Sequence, residues 1–463
     1  MVIGHWNLGF CSYYYSRFLL ERKVYLVYND FSMANTYKIK GGKQLKGEIV
    51  LAGAKNAATK LIIASLLGNS KSILENVPRI GDVEVTLDIC ESLGVKYQWL
   101  DNNTLEIDPT TISSYEVPVK DSGKNRVPIL FFGPLLHRFQ KAVIPTLGGC
   151  RVGERPVNFH IDGYEQLGAK IELEESAYRA EAEHLKGTRI KLEYPSVGAT
   201  ENIIMGAVLA KGTTVIENAA IEPEIEDLAL FLQAMGAIIY QDINRTWIIE
   251  GVKELHGAHY RVMADRNEAV SFACLALANK GDITIKGLDQ KYIMTFLNWV
   301  RKIGGNFTIE PNGIRFHNNN NFKGVALETD VHPGFMTDWQ QPFTIVLTQA
   351  DGVSVIHETV YENRFGYTEA LNKMGAKIYL FRECLGGKQC RFAHRDYLHS
   401  AIIVGPTPLK GAQIEVPDLR AGFSYVIAAL IAEGESELTG IEIIERGYEN
   451  LKERLKNLGA DID

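Results

Sequence analysis

Residues Thr146 to His160 read TLGGCRVGERPVNFH, and one cysteine within them, Cys150, is placed for reactivity. It follows Gly148 and Gly149 and is trailed by Arg151 and Arg155. A structural thiol wants apolar neighbours, whereas flexible backbone and positive charge lower a thiol's pKa and make it nucleophilic. A Gly-Gly-Cys loop can equally hold an incidental surface thiol, so local context leaves both roles open. Other chemistry-bearing side chains gather where helices are expected to begin. These are Lys55 with Asn56, Arg126, Thr200 with Glu201, Asp338, and Asp418 with Arg420; second helices are expected to begin near Arg155, Arg364 and Arg446. A helix N-terminus carries free N–H groups and about half a positive charge, so it attracts anions. Asp338 and Asp418 can also serve as plain helix caps, where Asp is common. Lys55 at such a place is electrostatically unfavourable unless an anion is present, which favours function.

The elements that must position these groups follow an internal repeat. A helix-like segment, an apolar residue, a glycine and a strand recur six times, as in CESLGVKY, YEQLGAKIEL, LQAMGAIIY, VRKIGGNFTI, LNKMGAKIYL and LKNLGADI. The glycines are Gly94, Gly168, Gly236, Gly304, Gly375 and Gly459, spaced by 74, 68, 68, 71 and 84 residues. Glycine after the last apolar helical position is the usual left-handed stop that releases a strand. Each copy also has an earlier helix rich in small and apolar residues, and AKNAATKLIIASLL is apolar nearly all round, which predicts burial inside a ring of sheets. Three copies on each side give two similar α/β halves. The chain is expected to start in one half, cross near Gly53 and return near Asp265. The expected domains are 33–54 plus 265–463, and 55–264, the latter carrying the cysteine segment.

Bulk properties narrow the function. The 463 residues are 46% hydrophobic and 23% charged, ordinary for a globular chain of two or more domains. A net charge of −7 argues against a nucleic-acid surface, so anion sites must be local clusters of Arg and Lys. Six scattered cysteines without a disulfide-like framework favour a reducing, cytoplasmic setting. No apolar run of about 18 residues predicts a membrane span. Residues 1–32 are rich in Tyr and Phe, and Arg17, Glu21, Arg22 and Lys23 break any signal-peptide core. Met33 opens a stretch that reads like a natural start, so 1–32 are expected to be an extension outside the fold rather than a membrane- or partner-binding arm.

Five motifs in order resemble the enolpyruvyl transferase family over residues 37–463. They are GAKNAA (Gly53–Ala58), GGCRVGERPV (Gly148–Val157), PSVGATEN (Pro195–Asn202), TDWQ (Thr337–Gln340) with ENRF (Glu362–Phe365), and DLRAG (Asp418–Gly422) with ERGYE (Glu445–Glu449). The resemblance implies two inside-out α/β domains, each of three repeated βαβαββ-type units around buried helices. It implies transfer of the enolpyruvyl group of phosphoenolpyruvate to the 3-hydroxyl of UDP-N-acetylglucosamine, with phosphate released and no metal or organic cofactor. It implies Asp338 as the base at the sugar hydroxyl, with Lys55 and Asp418 moving protons at C3 of the donor. Lys55, Asn56, Arg126, Arg155, Arg364, Arg420 and Arg446 would bind the donor, Arg being suited by its planar fork. Asn56, Arg126, Arg155, Pro156, Val157, Asn158, Phe159, Ser196, Val197, Gly198, Asp338 and Val360 would meet the nucleotide sugar. Cys150 would tip a mobile lid, add to phosphoenolpyruvate and be the thiol that fosfomycin alkylates.

The sequence departs from the family pattern at Leu147 (usually Pro), Asn158 (usually Asp), Tyr194 (Lys in some relatives) and Ile443 (usually His). The longest repeat spacing reflects an insertion, Glu383–Ser400, with Cys384, Cys390, His394 and His399. Its C-x5-C-x3-H-x4-H spacing matches no usual zinc finger, so a plain loop is the preferred reading. Two rival functions remain: an enolpyruvyl transferase for another acceptor such as 3-phosphoshikimate, whose branch lacks the cysteine lid and RPV segment, and a catalytically silent nucleotide-sugar-binding paralogue.

Overall fold

The computed structural model describes residues 36–119, 125–146, 157–317, 321–387 and 390–463. Cys150, Arg151, Arg155, Pro156, Leu147 and the extension 1–32 lie outside the described residues. Among the described residues six small sheets are formed, five of four strands and one of three. Their apolar faces enclose two separate hydrophobic cores. One draws on residues from Tyr37 to Leu51 and from Ala269 to Ile462; the other runs from Ala54 to Val262.

The sequence dictates this division through its inner helices. Arg266–Ala278 is buried at every position, and Thr337–Thr348 and Leu419–Ile431 are buried nearly throughout. A helix without a polar face can only sit inside, so these three pack on one another and the sheets close around them. In the other core Lys55–Ser65, Phe132–Phe139 and Val197–Ala207 take the same place. The strands pair across great sequence distances. Asp282–Lys286 lies parallel to Lys46–Val50 and antiparallel to Gly313–His317.

All six repeat glycines have positive φ, between 86° and 106°, as the end of each second helix requires. The chain passes between the cores twice, side by side: Ala54 N–H donates to Met263 O at 2.7 Å, and Asp265 N–H to Ala52 O at 2.9 Å. Gly53 is needed there, because a Cβ would stand 1.8 Å from the Asn76 carbonyl oxygen. Two expected helix starts shift. Thr200 and Glu201 lie a turn inside a helix that starts at Val197, because Ser196 supplies the cap through its hydroxyl. Arg446 follows the short helix Ile441–Glu445 instead of opening one; Asn450, in left-handed conformation, delays the next helix to Leu451.

Candidate active site

A cavity of about 630 Å³ opens between the two sets of helix termini. From the sequence candidates it gathers Lys55, Asn56, Arg126, Phe159, Ser196, Val197, Gly198, Asp338, Val360, Arg364, Asp418, Arg420 and Arg446. Val157 and Asn158, at the start of the helix that carries Phe159, do not line it.

Two carboxylates organise its cations. Asp338, in the first turn of Thr337–Thr348, accepts from Arg364 Nη2 at 2.7 Å and from Arg420 Nε at 3.2 Å. Arg364 is buried, and its Nε has no hydrogen-bond partner. Burial works against its charge, but Asp338 and Asp418 outweigh it and keep the guanidinium firmly protonated. Arg420 also donates to Tyr448 Oη at 3.0 Å. Asp418 is a helix cap: Oδ1 accepts from Arg420 N at 2.9 Å and Ala421 N at 3.1 Å. Asp338 does not cap its helix, so its carboxylate serves the cavity.

The second carboxylate, Asp82, carried no signal in the sequence. Acids in a helix's first turn are routine complements of the dipole, and Asp82 in Gly81–Ser92 looks like one. It lies 2.8 Å from Lys55 Nζ and accepts from Arg446 Nη2 at 3.0 Å and Nε at 3.1 Å. Burial opposes its charge, yet the two cations hold its carboxyl below the ordinary carboxylate range. Lys55 Nζ and Arg446 belong to different cores, so Asp82 joins the halves at the cavity.

Deeper in the wall, Arg266 grips Glu224 bidentately at 3.0 and 2.8 Å, again across the two cores. Beside them Glu201 is fully buried, both its oxygens lack hydrogen bonds, and Lys60 Nζ is 3.7 Å away. Burial, offset in part by Lys60 and reinforced by Glu224 and Glu222, pushes its pKa up to about 7. This sets a pH dependence. The folded form keeps the Glu201 proton above the ordinary value of 4.5, so it binds more protons than the unfolded chain between about 4.5 and 7. That group's contribution to stability therefore falls as pH rises through this window, and is flat above it. Thermal melts of Glu201→Gln should show a shallower loss of Tm across the window than wild type. Equal slopes would refute the assignment.

His160 is held neutral, its pKa pushed down to about 3 by burial and by Arg126. Asn202 Nδ2 approaches His160 Nδ1 at 3.0 Å and donates to Ile129 O at 3.0 Å. The neutral ring thus carries its proton on Nε2. Tyr194 lies beneath Arg391, whose guanidinium carbon is 4.7 Å from the ring centroid. Arg391 and Arg395, both from the insertion, also line the cavity.

The EPSP synthase (3-phosphoshikimate 1-carboxyvinyltransferase) family model matches residues 39–455. The UDP-N-acetylglucosamine 1-carboxyvinyltransferase of Protochlamydia amoebophila is 52% identical over 433 residues, covering 92% of this chain and 93% of that protein. The chain belongs to the enolpyruvyl transferase family. It is an enzyme of the carboxyvinyltransferase class, with the family's α/β architecture. UDP-N-acetylglucosamine 1-carboxyvinyltransferase 2 of Listeria monocytogenes is 43% identical, covering 93% of this chain and 98% of that one. The enolpyruvyl transferase NikO from Streptomyces tendae superposes with TM-score 0.82 at 22% identity, covering 93% and 99% of the two chains. EPSP synthase from Acinetobacter baumannii gives TM-score 0.73 at 18% identity, covering 92% and 99%. Among the described residues, no helix is long and apolar enough to cross a membrane.

Proposed function

We propose that this enolpyruvyl transferase moves the enolpyruvyl group of phosphoenolpyruvate to the 3-hydroxyl of UDP-N-acetylglucosamine, the first committed step of peptidoglycan synthesis. The observation that carries this reading is the 52% identity to a relative named for that reaction, over nearly the whole chain. In the cytoplasm the product would feed wall growth, and so cell shape and division. We read 33–54 plus 265–463 as one domain and 55–264 as the other, with the Cys150 segment as the lid over the cavity between them.

The residues take the following roles. Asp338 removes the proton of the 3-hydroxyl as its oxygen attacks C2 of the donor, and a proton adds at C3. C3 then loses a proton, the C2–O bond to phosphate breaks, and the double bond re-forms. Lys55 and Asp418 handle the protons at C3. Arg126, Arg155, Arg364, Arg420 and Arg446, with Lys55 and Asn56, hold the phosphate and carboxylate. Pro156 to Phe159, Ser196 to Gly198 and Val360 meet the nucleotide sugar. The cation pairs support this: Asp82 and Asp338 each bridge two cations, four in all, and leave a net positive charge for the donor anions. The chemistry itself calls for no metal or organic cofactor.

Phosphate release from phosphoenolpyruvate should depend on UDP-N-acetylglucosamine and be absent with 3-phosphoshikimate. Release with the latter, or with neither acceptor, would overturn the reading. Turnover should fall sharply in Cys150→Ala, and wild type should be inactivated by fosfomycin through alkylation of that thiol. Activity surviving saturating fosfomycin would count against a lid thiol at position 150.

A further inference from the structure

Four side chains outside the cavity converge with the composition of a metal centre. His357 ends the strand Gly352–His357, and Cys384, Cys390 and His399 come from the insertion. One donor atom from each lies within 4.8 Å of all the others. Cys384 Sγ is 3.6 Å from Cys390 Sγ and 3.4 Å from His399 Nε2, and both thiols are free. A tetrahedron built on ordinary zinc–sulfur and zinc–nitrogen lengths has edges of about 3.8 Å and about 3.6 Å for those pairs.

The surroundings point the same way. His357 Nε2 is buried and has no hydrogen-bond partner, while its Nδ1 meets Glu328 Oε2 at 3.2 Å. His399 Nδ1 donates to Tyr397 O at 2.9 Å, which leaves its Nε2 lone pair facing Cys384. A carboxylate or carbonyl on one ring nitrogen is how metal-bound imidazoles are oriented. Phe392 N–H donates to Cys390 Sγ at 3.3 Å, which fixes the position of that sulfur. A buried nitrogen without a partner costs free energy unless something ligates it.

We propose that His357, Cys384, Cys390 and His399 bind one zinc ion in a closed, structural Cys2His2 site. Two thiolates balance the ion's charge, and four protein donors leave no open position for catalysis. The exposed His394, which the sequence spacing suggested as a ligand, stands outside the cluster. The spacing within the insertion does not show this set, because one of the four residues comes from a strand that precedes it. The ion would staple the insertion to that strand. Arg391, next to Cys390, could then reach across to Tyr194 and donate to Val360 O.

The test is metal analysis of the whole protein purified without chelator from zinc-supplemented cells. About one zinc per chain is expected, retained in His394→Ala and lost in Cys384→Ser. Glu328→Gln keeps all four ligands and should weaken zinc binding about 10–100-fold. Cobalt replacing zinc should give the intense visible bands of a tetrahedral site with thiolate charge transfer. Chelation should lower the wild-type Tm but not that of Cys384→Ser. Absence of stoichiometric zinc together with no tetrahedral cobalt spectrum, or a Cys384–Cys390 disulfide in freshly purified protein, would overturn the proposal.

Discussion

Asp338→Asn is expected to lower kcat by about 10²–10⁴-fold, the usual contribution of a positioned general base. Asparagine keeps the shape but has one acceptor oxygen, so it retains the bond from only one of Arg364 and Arg420, which meet different carboxylate oxygens at 2.7 and 3.2 Å. It cannot take the hydroxyl proton. The same change removes the charge that partly offsets two buried guanidiniums. Those cations then favour any anion more strongly, so KM for phosphoenolpyruvate should stay level or fall, and phosphate should inhibit more tightly. This split separates a base from a merely structural carboxylate, whose loss would raise KM and lower kcat together. Steady-state kinetics with phosphate inhibition decides between them. A kcat within about threefold of wild type would remove Asp338 from its role.

The second large effect falls on stability. Arg266 and Glu224 are 0% and 4% exposed, so each depends on the other for its charge. Burial opposes ionisation of Glu224, and Arg266 more than offsets it, holding that carboxyl below its ordinary range. Removing one partner leaves an isolated buried charge, a loss of about 3–5 kcal/mol. Arg266→Met should therefore lower Tm by many degrees. In Arg266→Met/Glu224→Met no charge is stranded, and most of the loss should be recovered. Failure of the double variant to recover would mean that the pair contributes specific packing between the halves, not mutual charge compensation.

The sequence carried some of the site and not the rest for a definable reason. Lys55, Asp338, Asp418 and Arg420 were legible because each stands at a helix start, and the structure brings all four to the cavity. The same rule misplaced Arg446, which reaches the cavity from the far end of a short helix. Asp82 gave no local signal at all, since its meaning comes from Arg446, 364 residues away. Arg391 and Arg395 sat in what reads as an ordinary insertion.

By itself the sequence determined the sixfold repeat, the helices that must be buried, the glycines that end their partners and the motifs that mark the family. These are local properties, written in the spacing of apolar residues and in backbone conformations only certain residues adopt. Only the tertiary structure decided which charges pair with one another, which acid is buried without a hydrogen bond, and which histidine joins two cysteines. Those outcomes depend on distances of a few ångströms between chain segments far apart in sequence, and burial then makes each such contact count for far more than it would in water.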